Sequence, residues 1–89
     1  MDTLFELGNL YVTANARDQL DGPSVQTALE RHATGDWGNL DSQDNKANDH
    51  ALCVGGRLFS AYEDVSNVRF WIITEADRSC TTILLPADY

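Results

Sequence analysis

The apolar residues of this 89-residue chain change their spacing at Gly55-Gly56, and that change constrains the fold more than any other feature of the sequence. Ahead of it the spacing is helical. Val25, Ala28, Leu29, His32 and Ala33 recur at i, i+3, i+4, i+7 and i+8, one face of a helix. Behind it the apolar residues alternate or run together in short β-branched and aromatic stretches, as strands do. Helices gathered in one half and strands in the other predict an α+β domain, and a chain of this length has room for one core.

The punctuation sets the expected boundaries. Gly22-Pro23 starts a helix over about 23–34, with Asp21 or Gly22 as its cap and Gly35 as a left-handed stop. A shorter helix over about 14–20, capped by Thr13, precedes it. Asp41 caps a third over about 41–54, with Asp44 in its first turn favoured by the helix dipole. Its apolar stripe of Ala47, Ala51 and Leu52 is thin. Trp37 and Leu40, between the second and third helices, are expected to dock into the core and fix the helix crossing; a Trp used this way must find a partner for its N–H.

Strands are expected over about 57–62, 68–75 and 81–85. The loops between them are short and polar, which predicts an antiparallel meander. In the middle strand Val68, Phe70, Ile72 and Thr74 point one way, and Arg69, Trp71, Ile73 and Glu75 the other. Apolar residues on both faces mean that helices or a partner must cover part of each. The segment 7–13 is a candidate fourth, edge strand.

Charge narrows the function. Six Lys and Arg against fourteen Asp and Glu leave a net charge of −8, which argues against direct nucleic-acid binding and against attachment to an anionic membrane. The imbalance lies mainly ahead of residue 51, where the net charge is −6 against −2 behind it. No apolar run approaches the ~20 residues of a membrane helix, and Met1–Glu6 lacks the basic start of a signal peptide. A cytoplasmic location with Cys53 and Cys80 as free thiols is the expectation.

Ligand and catalytic patterns are weak. His32, His50, Cys53 and Cys80 are metal-ligating types, but their spacing matches no zinc motif, and no cofactor is expected. No phosphate-binding glycine loop is present. Cys80 or His32 as the centre of a small hydrolase or transferase is an alternative that would need a pairing the sequence does not display. Glu75-Ala76-Asp77-Arg78 reads first as a local ion pair holding a turn, and second as a partner contact.

The acidic helices carry the functional expectation. Asp36, Asp41, Asp44 and Asp49 form the first candidate partner-binding set, and Glu75, Asp77 and Arg78 the second. An acidic face on a small rigid domain can mimic a phosphate backbone and steer a basic protein partner onto it. The plain alternative is a solvated face that aids solubility.

Three stretches, Phe5-Glu6-Leu7-Gly8, Arg31-His32-Ala33-Thr34-Gly35-Asp36-Trp37-Gly38 and Phe70 through Tyr89 (FWIITEADRSCTTILLPADY), together resemble a family of short bacterial plasmid and mobile-element proteins. Members are sometimes labelled as type I restriction subunits, although a methyltransferase subunit needs a cofactor-binding domain several times this size. The resemblance brings no catalytic residue with it. What it implies is mobile DNA inside bacteria. It makes a non-enzymatic anti-defence inhibitor the leading expectation, most of all an anti-CRISPR or anti-restriction protein bound to a CRISPR-Cas or restriction enzyme subunit. The second expectation is a plasmid-encoded interaction or accessory module, with a homodimer possible through Trp71 or Tyr62.

Overall fold

The computed structural model describes residues 3–89; Met1 and Asp2, which open the stretch read above for a signal peptide, lie outside the described residues. Four strands, β1 (Asn9–Val12), β2 (Leu58–Glu63), β3 (Arg69–Thr74) and β4 (Cys80–Leu84), form one sheet in the order β1-β4-β3-β2. Three helices, α1 (Ala14–Gln19), α2 (Gly22–Ala33) and α3 (Ser42–Val54), stand between β1 and β2 in the chain, and a 3-10 turn (Pro86–Asp88) follows β4. This is the α+β arrangement that the change of spacing predicts.

The helix boundaries follow from their caps. Thr13 accepts from the Ala16 amide, Asp21 from that of Ser24, and Asp41 from that of Asp44. Gly55, at φ 83°, ends α3 in the left-handed region that costs a glycine little.

The sheet differs from expectation in one respect. β2, β3 and β4 are the predicted antiparallel meander, but β1 pairs parallel to β4, so the sheet is mixed. Hairpins fix only the relative directions of the strands they join. The direction of β1 is set by where three helices return the chain, which no local pattern encodes.

One sheet face packs against α1 and α2. Ala16, Ala28 and Leu29 from the helices meet Tyr62, Phe70, Ile72 and Ile83 from the strands. The alternation in β3 is as predicted, with Phe70, Ile72 and Thr74 each at 0% exposure on the helix side. The helix α3 instead lies beside the free edge of β2, where Trp37, Ala51 and Leu58 form a second cluster with Phe5, Leu40 and Leu52 against it. Trp37 and Leu40 thus dock as predicted. The buried stripe of α3 is Asn48 and Ala51 rather than the expected Ala47, Ala51 and Leu52.

A chain of hydroxyls and one imidazole crosses the buried side of the sheet. His32 Nδ1 bonds Ser60 Oγ, and its Nε2 lies 2.9 Å from Thr74 Oγ1. Thr74 Oγ1 lies 2.7 Å from Thr81 Oγ1, which donates to the Leu7 carbonyl at 2.7 Å. A carbonyl can only accept, so elimination fixes the protons as far as His32 Nε2. Thr81 donates to Leu7, Thr74 to Thr81, His32 Nε2–H to Thr74, and Ser60 to His32 Nδ1. Burial lowers the imidazole pKa to about 4, which keeps the ring neutral at neutral pH and makes Nδ1 the acceptor from Ser60.

Among the described residues no helix is long and apolar enough to cross a membrane.

Candidate functional site

The predicted acidic residues fall at the two ends of α3 and around Trp37. At the N-terminal end Asp41 is spent on the cap, accepting from the Asp44 amide at 2.8 Å. The Asp44 side chain is exposed and makes no hydrogen bond or ion pair among the described residues. Asp36 is held by Arg31 in a two-pronged pair at 2.8 and 3.2 Å, and that guanidinium keeps its carboxyl below the usual carboxylate range. Asp49 accepts the indole N–H of Trp37 at 3.2 Å, the partner that the buried Trp requires. Asp36 and Asp49 therefore hold the Trp37 loop, while Asp41 and Asp44 point their charge outward.

The second set sits at the other end of α3, and its expected ion pair is corrected. Arg78 does not pair with the acids that flank it. Its guanidinium donates to four main-chain carbonyls, those of Gly56 (2.6 Å), Glu75 (3.1 Å), Ala76 (3.2 Å) and Ala51 (3.3 Å). The Ala51 carbonyl lies in the last turn of α3, where the negative end of the helix dipole favours a cation, and the Gly56 carbonyl follows just past the Gly55 stop. Glu75 pairs instead with Arg57 at 3.3 Å, and Asp77 accepts from the Ser79 amide at 3.0 Å. Arg78, at φ 61°, is a tie between the last hairpin and α3.

The opposite face of the sheet carries a groove that neither candidate set includes. Phe59, Trp71 and Ile73 floor an open groove of about 430 Å³, walled by Leu40, Asp44 and Ala47 on the α3 side and by Tyr89 on the other. The rings are set edge to face, Phe59 to Trp71 at 4.9 Å and Trp71 to Tyr89 at 5.7 Å. The only signal for it was the apolar alternation on the second face of β3. The groove's own cation, Arg57, is occupied by Glu75 and the Tyr89 hydroxyl. An aromatic floor with an unpaired carboxylate at its rim can take a cationic side chain, by the ring faces and by charge at once.

The candidate metal and nucleophile residues do not converge. Among the described residues no group of three His, Cys, Asp or Glu is placed to hold a metal ion. His32 is at 0% exposure with both nitrogens bonded. Cys80 alternates along β4 with Thr81, which faces the helices, so Cys80 faces away from His32 across the sheet. His50 and Cys53 are exposed on α3.

No family model, no curated protein and no solved structure matches the chain.

Proposed function

We propose that this chain is a non-enzymatic binding protein that holds a basic protein surface, with an arginine or lysine side chain of the partner seated in the groove over Trp71. The observation that carries the reading is the placement of the unpaired Asp44 carboxylate on the rim of an aromatic groove, beside Asp41. The net charge of −8 supports it, since it steers a basic partner toward the domain. Within that class, the resemblance to mobile-element proteins favours an anti-defence inhibitor of the bacterial cytoplasm, acting on a CRISPR effector or a restriction enzyme by occupying its nucleic-acid channel. Internal bonds already use Arg78, Asp36, Asp49, Glu75 and Asp77, and Asp41 caps α3, so Asp44 carries the acidic side of the contact.

The test is a titration of purified CRISPR effector and restriction subunits, each at low and moderate salt, with wild type, Asp44→Lys and Trp71→Ala. A salt-sensitive complex that each substitution weakens by ~10-fold or more is the expected result. A complex indifferent to both would move the contact elsewhere. The absence of any complex with such enzymes would remove the anti-defence reading.

A further inference from the structure

We infer that the β1 edge of the sheet is a self-association surface, on which a second copy of this chain pairs antiparallel through Leu10, Tyr11 and Val12. This surface lies at the opposite end of the sheet from α3 and its groove, and the inference does not depend on what the groove binds.

The edge is open and apolar. All four residues of β1 are exposed, Leu10 at 52%, Tyr11 at 55% and Val12 at 46%. The amides of Asn9 and Thr13 point inward, donating to Ser79 and Ile83. Tyr11 shares their phase, so the N–H and C=O groups of Leu10 and Val12 point outward. No bond from another element meets them among the described residues. Proteins usually shield such an edge with a charge, a proline, a bulge or a covering segment. Here Asn9–Val12 contains none of these.

Two observations select a second copy as the occupant. The first is charge. Residues 7–16 form the longest run without a charged side chain in a chain of net charge −8, so two copies repel least where their β1 edges meet. The second is register. The outward-facing residues, Leu10 and Val12, are symmetric about Tyr11. An antiparallel pairing with Tyr11 on the two-fold axis places Leu10 opposite Val12 of the second copy, and Val12 opposite its Leu10. Each such pair exchanges two main-chain bonds, and the closing interface is isologous. On the helix side, Leu10 and Val12 line a mainly apolar groove against α1 and α2 with Arg17 in its wall, and Leu10 a second beside Glu30; the second copy's strand would extend and cover them. The product is one eight-stranded sheet with an α3 groove at each end.

A four-residue edge buries less than the roughly 800 Å² per partner of a standard interface, so association in the range of about 10 μM to 1 mM is expected. Sedimentation equilibrium across that range should show the mass rising from one chain to two. Val12→Pro removes an outward N–H that β4 does not use, and Tyr11→Lys sets two like charges on the axis. Each should weaken the dimer by ~10-fold or more, whereas Val65→Lys, in an exposed turn, should not. A chain that stays monomeric at about 1 mM overturns the inference, as does a dimer indifferent to both substitutions. Should either variant unfold, amide-resolved NMR of wild type decides. Slower exchange at Leu10 and Val12 with rising concentration supports the pairing, and unchanged exchange in a dimer overturns it.

Discussion

At its β2 edge the sheet meets a side chain and a loop that complete its hydrogen bonding, whereas at β1 it meets solvent. The Asn48 amide donates to the Phe59 carbonyl at 2.6 Å and accepts from the Phe59 amide at 2.9 Å, the two bonds a neighbouring strand would make. Farther along, the Ala61 amide donates to Trp37 O at 3.2 Å, and Ala61 O accepts from the Asn39 amide at 2.7 Å. Gly38 makes this approach possible. It sits at φ 75°, and a Cβ there would overlap the Ala61 carbonyl and the Tyr62 ring. One edge is thus sealed by specific residues and the other left bare, which teaches that openness at β1 is not a general property of this small sheet.

The contrast can be broken most severely at Gly38. Gly38→Ala combines an unfavourable backbone conformation with a clash against main chain, and should destabilise the fold by roughly 3 kcal/mol in urea denaturation. A change under about 0.5 kcal/mol would mean that the loop is not pinned to β2.

Acid attacks the link between the edges. The relay from Ser60 through His32 to Leu7 joins the sealed strand to the residues just before β1. The His32 pKa falls from 6.5 to about 4 on folding, so the unfolded chain takes up the proton first. Stability is therefore full above about pH 6.5 and declines as pH falls toward 4, by on the order of 3 kcal/mol. Denaturation of wild type and His32→Gln across that window checks it, since the variant should lose this slope. Below it, Asp36 and Asp88, whose carboxyls are lowered by Arg31 and by Thr13 with Asn15, add a separate decline as they protonate.

Asn48→Leu leaves the Phe59 amide and carbonyl without partners and should cost about 2 kcal/mol. The smallest effect belongs to the bare edge. There Tyr11→Lys should shift monomer stability by no more than about 0.5 kcal/mol, as should Val65→Lys in the exposed turn between β2 and β3.

How much of this was legible depends on whether the signal was local. The caps at Thr13, Asp21 and Asp41, the left-handed Gly35 (φ 84°) and the alternation in β3 are neighbour effects, and each was readable. Asn48 was not, because a buried amide inside a thin helical stripe looks like a surface residue until the strand that it serves is in place. Arg78 misled for a related reason: its nearest charges in sequence are Glu75 and Asp77, yet it serves carbonyls more than twenty residues away. The candidate site divides in the same way. Asp41 and Asp44 were found from capping logic, but Phe59, Trp71 and Tyr89 lie on three separate segments, and only the fold brings them to one groove.

The parallel partnership of β1 with β4 also has a temporal side. Thr81 and Leu7 are 74 residues apart, and closing a loop of that size costs roughly 4 kcal/mol in chain entropy. The hairpins β2–β3 and β3–β4 close over a few residues and can assemble early, whereas β1 gains its contacts only after the rest of the chain has returned. The strand with the open edge is thus expected to dock last and to detach first, and any strand that pairs with it would lengthen the lifetime of the native state.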